Sequence, residues 1–152
     1  MNLAQALTTL ALRLAGTHSS ALAERGREAA EEVAMVETDE ARARAILTWS
    51  KLEAQWWTDP KGDNDHSEAC GATQMHVGFW RDVLPEAWTC EALRSDRLTA
   101  YWATSLVLDH LVRRCGSLAS ALGAYSGGTC GAAPELVKRR CRMAGLTDHC
   151  TL

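Results

Sequence analysis

The segment from Ser95 to Arg114 constrains the fold more than any other part of the chain. Apolar side chains recur along it three or four positions apart, which is the spacing of one face of an α-helix. This face comprises Leu98, Tyr101, Trp102, Leu108, Leu111 and Val112. Because a stripe this long and bulky is unfavourable in water, the segment predicts a buried central helix against which the other elements pack.

The rest of the sequence also favours helices, and strand signals are almost absent. Further helices are predicted within 1–16, 21–35, 38–53 and 117–125, and from Pro134 to a point before Gly145. Turn-forming residues from Trp56 to Gly71 predict a loop or a short irregular hairpin. We therefore expect a mainly α fold of the α+β kind, with at most a small hairpin. Residues 1–38 would form an N-terminal helical segment that packs on or precedes a catalytic domain of residues 39–152.

Charge and hydropathy argue against several classes of function. The formal net charge of -3 provides no basic stripe, so we expect no nucleic-acid partner. No apolar run approaches the roughly 20 residues that span a bilayer, so we expect no stable membrane insertion. The first basic residue, Arg13, follows the N-terminal apolar stretch instead of preceding it, which disfavours a secretory signal peptide.

The six cysteines stand at positions 70, 90, 115, 130, 141 and 150. They form no C-x-x-C pair, so we expect neither a structural zinc site nor any other metal or cofactor. An even count in a small chain favours disulfides and an oxidising environment, with Cys141 and Cys150 able to clip the C-terminal tail to the last helix. The alternative is that several are small core residues.

Three motifs follow one another in the chain. Glu53 ends a tryptophan-rich helix within Trp49–Trp57, a loop with the sequence GDNDHSEACGATQMH covers Gly62–His76, and the turn AYSGG covers Ala124–Gly128. In this order they resemble the lysozyme-like superfamily, particularly goose-type lysozymes, soluble lytic transglycosylases and phage-encoded muramidases. The resemblance covers about Ala41 to Gly131.

Glu53 is the residue that the resemblance makes the general acid. Breaking a glycosidic bond requires a carboxylic acid that is protonated near neutral pH, and apolar surroundings favour the protonated form. We expect such surroundings between Leu52 and the Trp56–Trp57 pair. The alternative is a solvent-facing helix glutamate.

The resemblance also assigns the residues around Glu53. Asp63 would be the second catalytic carboxylate, and the predicted substrate-binding residues are Asp65, Ser67, Thr73, Gln74, Tyr125 and Trp57. Trp56 and Trp80 would offer further faces for sugar stacking, whereas Trp49, Trp88 and Trp102 are expected in the core. Structural alternatives stay open: turn formation for the aspartates, a backbone-bonded amide for Gln74 and a core position for Tyr125.

The resemblance implies cleavage of the β-1,4 bond between N-acetylmuramic acid and N-acetylglucosamine in peptidoglycan, by hydrolysis or by lytic transglycosylation. Together with the disfavoured signal peptide, it suggests a bacteriophage endolysin or virion-associated lysin that acts in the periplasm or cell wall, with other virion proteins as further partners. The alternative is a non-catalytic structural or glycan-binding protein of a virion or secretion apparatus. A metal-dependent amidase or peptidase using Asp63, His66 and His76 is disfavoured, because these residues form no recognisable zinc motif.

Overall fold

A computed structural model describes residues 1–17, 19–58 and 69–150, and α-helices dominate these ranges. The helices are α1 (Leu3–Ala15), α2 (Ser20–Val36), α3 (Glu40–Ala54), α4 (Cys90–Ser95), α5 (Arg97–Cys115), α6 (Leu118–Gly127) and α7 (Pro134–Met143). An antiparallel pair, β1 (Ala69–Cys70) and β2 (Met75–His76), encloses a 3₁₀ turn at Gly71–Thr73, and a second 3₁₀ turn covers Thr147–His149. The expected mainly α fold with a small hairpin is confirmed.

Local side-chain chemistry determines where the helices begin. The Asn2 side chain accepts from the Gln5 backbone N–H, and the Gln5 side chain accepts from the Asn2 backbone N–H; together these bonds cap α1. Asp39 caps α3 by accepting from the Arg42 N–H, one residue after the predicted start. Pro134 occupies the first turn of α7, as predicted. The short helix α4 was not among the predicted elements.

Helix α5 lies in the centre of the molecule, as its apolar stripe predicts. Tyr101 and Leu108 on this helix are buried, and the same core cluster contains Leu7 of α1 and Val33 of α2. The N-terminal helices therefore share one core with α5. The prediction that Trp102 belongs to the core is wrong. Its side chain is 50% exposed, because it lies on the outer face of α5, where its ring is tilted against that of Trp88.

All three disulfides connect elements from Ala69 onward. Cys70–Cys90 joins β1 to the start of α4, Cys115–Cys130 joins the end of α5 to the segment after α6, and Cys141–Cys150 joins α7 to the tail. The predicted disulfides and the predicted clip on the tail are both confirmed, and the six cysteines leave no free thiol. Among the described residues, no helix combines the length and the apolar character that crossing a bilayer requires.

Candidate functional site

The end of α3 turns sharply and sends Trp56 back into the core. Gln55 and Trp56 both adopt left-handed backbone conformations, with φ angles of 48° and 61°. The Trp56 ring is fully buried, its Nε1 donates to the Leu47 carbonyl at 3.0 Å, and it packs directly over Gly26 of α2. The expected sugar-stacking role of Trp56 is therefore wrong, because its ring has no exposed face.

Arg97 of α5 fastens this turn to α2. Its Nη1 donates to the Trp56 carbonyl at 2.8 Å, and its Nε donates to Glu32 at 2.6 Å. The hydrogen bond with Glu32 raises the pKa of Arg97 above its ordinary value. These contacts connect α2, α5 and the turn, so the end of α3 has a fixed position.

Trp57 lies on the other side of the turn from the core, with half of its surface exposed. The Arg25 guanidinium covers its ring at 3.9 Å from the centroid. Trp57 lines a cleft of about 330 Å³ together with Glu28 and Asp96. This cleft is separate from the groove beside Tyr125, so the structure does not bring Trp57 together with the other candidate residues.

Glu53 lies one residue before the end of α3, and its side chain is 34% exposed. Its Oε1 accepts a hydrogen bond from Nη1 of Arg140 at 2.7 Å. The Arg140 guanidinium lies 5.2 Å from the centroid of the Trp49 ring, which is buried as predicted. The expected burial of Glu53 between Leu52 and the Trp56–Trp57 pair is wrong. The left-handed turn directs the Trp56 ring into the core, and the Glu53 carboxylate faces Arg140 of α7 instead.

Tyr125, near the end of α6, interacts electrostatically with this carboxylate. Its hydroxyl donates to the Thr73 carbonyl at 2.9 Å. Burial raises the pKa of Tyr125 to about 12, hydrogen bonds with Thr73 and Thr104 oppose that rise, and the charge of Glu53 adds to it. At neutral pH Tyr125 is therefore an uncharged phenol within the electrostatic reach of Glu53.

The residues behind Tyr125 hold it in place. Thr73 is fully buried and its hydroxyl donates to the Thr104 hydroxyl at 2.7 Å, because Thr104 itself donates to the Ala100 carbonyl. Gln74 has a left-handed backbone, and its amide nitrogen donates to the Gly71 carbonyl at 3.0 Å. Both side chains thus support the turn between β1 and β2, which was the structural alternative for Gln74.

A groove of about 680 Å³ opens beside Tyr125. One wall is the turn that follows β2, residues His76–Trp80, and the other wall is the end of α6, residues 124–128. Phe79 is 65% exposed and meets Trp80 edge to face, with ring centroids 4.7 Å apart. Trp80 lines the groove but is only 6% exposed, so the open aromatic face there belongs to Phe79 and the predicted stacking role of Trp80 is not supported.

The predicted site residues divide into three groups. The structure brings together Glu53, Tyr125 and, behind Tyr125, Thr73 and Gln74. Trp57 lies in the separate cleft. Asp63, Asp65 and Ser67 lie outside the described residues, and so does His66. Within residues 1–17, 19–58 and 69–150, no cluster of three or more His, Cys, Asp or Glu side chains is arranged to hold a metal ion.

Arg140 is the partner of Glu53 that the sequence interpretation missed. The buried residues Val137, Cys141 and Ala144 mark the inner face of this part of α7, and Arg140 falls on that same face. An arginine within an apolar stripe needs an internal anion or carbonyl partner. That pattern predicts a buried contact for Arg140, although it does not identify Glu53 as the partner.

Comparisons of the chain with protein-family models, with curated proteins and with solved structures found no match in any of the three. Any function must therefore be argued from the residues of the site.

Proposed function

We propose that this protein is a peptidoglycan muramidase that cleaves the β-1,4 bond between N-acetylmuramic acid and N-acetylglucosamine. The observation that supports it is one carboxylate, Glu53, whose charge acts on the Tyr125 phenol. Tyr125 in turn lines a groove of about 680 Å³. A volume of this size accommodates a small ligand such as a few sugar rings. The exposed ring of Phe79 gives that groove an apolar face on which a pyranose can stack.

Glu53 would act first as the acid that protonates the glycosidic oxygen and then as a base. Proton donation requires a protonated carboxyl group, which carries no charge to pair with Arg140. The ion pair must therefore open when substrate binds. Tyr125, as a neutral phenol, can donate a hydrogen bond to a carboxylate or to a sugar oxygen.

Asp63 remains the proposed second carboxylate, with Asp65 and Ser67 as further substrate-binding residues. They belong to the segment between Thr58 and Ala69, which lies outside the described residues. If Asp63 holds an attacking water, the reaction is hydrolysis. If the 6-hydroxyl of the muramyl residue attacks instead, the product has an anhydro end.

A second candidate function is a lysozyme-like protein that binds glycan or serves a structural role without catalysis. The ion pair between Glu53 and Arg140 favours it, since the carboxylate already has a charged partner at 2.7 Å. Such a protein would bind cell walls and release no fragments from them.

Mass spectrometry of fragments released from purified peptidoglycan tests the proposal directly. A muramidase releases fragments with reducing or anhydro muramyl ends, and the two end groups distinguish hydrolysis from transglycosylation. Fragments with reducing N-acetylglucosamine ends, or cleaved peptides alone, would refute the proposed bond specificity. Binding without any release would favour the non-catalytic candidate.

Three disulfides suit a protein that acts on the cell wall outside the reducing cytosol.

A further inference from the structure

Arg140 is held next to the candidate site by contacts that do not involve Glu53. Helix α7 is fixed by Arg44, which donates to the Ala144 carbonyl at 2.8 Å, and by Arg13, which donates to the Met143 carbonyl at 3.1 Å. The disulfide of Cys141 anchors the residue that follows Arg140. The Arg140 side chain is only 13% exposed, so its guanidinium keeps its place whether or not Glu53 pairs with it.

The guanidinium also retains capacity for another anion. Arginine presents several N–H donors in a planar fork that matches a carboxylate. In the described part of the chain, Nη1 is the Arg140 atom that donates to a side chain, and the acceptor is Glu53. The Trp49 ring lies against the guanidinium and limits its access to water. A substrate carboxylate that reaches this position would meet a preformed and partly desolvated partner.

We propose that Arg140 is a carboxylate-binding site that recognises the acidic substituent on the 3-oxygen of a muramyl residue. The inference rests on the proposed function of the same site. When substrate binds, its carboxylate replaces Glu53 on Arg140, so one ion pair is exchanged for another. Glu53 is then free to take a proton from bulk water and to donate it at the glycosidic oxygen.

The exchange makes the acidic substituent a condition for fast cleavage. A glycan without a carboxylate has to separate Glu53 from Arg140 with no replacement, which leaves a partly buried guanidinium unpaired. Peptidoglycan offers a carboxylate from two sources, the lactyl group itself where the peptide has been removed, and the stem peptide where it is present. Both supply the same chemistry to Arg140, and the substrates of the experiment distinguish them.

The experiment compares three substrates: intact peptidoglycan, glycan strands stripped of peptide by an amidase, and the same stripped strands with their lactyl carboxylates converted to neutral methylamides. For the unaltered protein we expect kcat/KM to be at least about tenfold higher on a carboxylate-bearing substrate than on the neutral strands. The stripped strands report recognition of the lactyl carboxylate, and intact peptidoglycan reports recognition of peptide carboxylates.

In Arg140→Gln this preference should fall to within about twofold, with the loss confined to the carboxylate-bearing substrates. Arg139→Gln is the matched control, because this substitution removes the same charge from the same helix at an exposed position. It should keep the full preference. Arg140→Lys, which retains the charge, should keep part of it and serves as the second variant if Arg140→Gln unfolds.

Two results would overturn the inference while leaving the proposed function intact. One is an unaltered protein that cleaves neutral and acidic strands equally well. The other is an equal loss, including complete loss, on all three substrates in a folded Arg140 variant, because Arg140 would then only position Glu53. Full cleavage by Glu53→Gln is a different failure, since it would refute the proposed function itself.

Discussion

The described residues before Gln55 and those from Ala69 onward are stabilised in different ways. Helices α1 to α3 contain no cysteine, and apolar side chains such as Leu7, Leu10 and Ile46 hold them together. The described residues from Ala69 onward combine the long helix α5 with several short elements, and all three disulfides lie among them. A helix with a continuous apolar face needs no covalent support, whereas a two-residue strand and a six-residue helix bury too little surface to stay in place alone.

The candidate site lies where these two regions meet. Glu53 and Trp49 come from α3, whereas Tyr125 and Arg140 come from the disulfide-linked region. The position of the carboxylate therefore depends on helix packing. The positions of its partners depend on the disulfides and, for Arg140, also on the contacts of Arg13 and Arg44 with the end of α7. Reduction and core substitutions separate these two contributions.

Reduction of the disulfides should have the largest effect. Each bridge contributes roughly 2–4 kcal/mol to the free energy of unfolding, so reduction should lower the melting temperature strongly. Hydrogen exchange should accelerate first in β1, α4 and α7, while α1 and α2 keep their protection longest. Uniform loss of protection across all the helices would show that the two regions do not differ in this way.

Gly26→Ala tests the packing of the N-terminal region. The new Cβ would lie 2.7 Å from the Trp56 ring, so the ring or α2 must shift. Overpacking typically costs about 1–3 kcal/mol, which exceeds the roughly 0.5–1 kcal/mol that alanine gains over glycine in a helix. Chemical denaturation should show a net loss of stability. Gly78→Ala, where the new Cβ meets open space, is the control, and an equal effect in both variants would refute the packing argument.

Tyrosine titration tests the packing of the region from Ala69 onward through two buried hydroxyls, one of which contacts Ser50 of α3. Burial raises the pKa of Tyr125 to about 12 and raises that of Tyr101, which bonds Ser50 at 2.7 Å, above its ordinary value. Unfolded tyrosine loses its proton near pH 10, so stability should be unchanged below that pH and should fall as pH rises towards 12. Tyrosinate absorbance should stay low at pH 10.5. Ionisation of either tyrosine near pH 10 in the folded protein would contradict the burial.

Tyr125→Phe should have the smallest effect on stability. It removes one hydrogen bond to the Thr73 carbonyl, and a bond of this kind contributes about 0.5–1.5 kcal/mol. If Tyr125 also acts at the site, kcat should fall while the fold persists. A loss of stability well above this range would mean that Tyr125 holds α6 against the β1–β2 turn more firmly than its one bond indicates.

The helices were largely predictable, because each carries its own local signal. Arg97–Cys115 follows its apolar stripe closely, and Pro134 marks the start of α7. Helix α4 has only six residues, which is too short for a periodic pattern to emerge. The pairing of Cys141 with Cys150 was predictable from proximity in the chain, and the other two pairs required the tertiary structure.

The site was only partly predictable. The position of Glu53 at a helix end follows from the sequence of α3, but its surroundings depend on two consecutive left-handed residues that no periodicity reveals. Arg140 lies 87 positions further along the chain, so its contact with Glu53 is set by the packing of α7 on α3. The predictions of tryptophan burial failed for a related reason. Trp56 was expected to be accessible and is buried, whereas Trp102 was expected in the core and is half-exposed, because local spacing does not specify which face of an element meets the core.

The central claim, that Glu53 is the catalytic acid, is tested most directly by the rate of fragment release from purified glycan strands. The comparison is between the unaltered protein, Glu53→Gln and the exposed control Glu86→Gln, at equal concentrations of folded protein. Glu37 is unsuitable as a control because it is buried and paired with Arg42 at 3.0 Å. Loss of a general acid predicts a decrease on the order of a hundredfold or more for Glu53→Gln, with cell-wall binding retained and Glu86→Gln unaffected. Retention of more than about a tenth of the rate by Glu53→Gln would contradict the assignment, since even a modest general acid contributes on the order of a hundredfold.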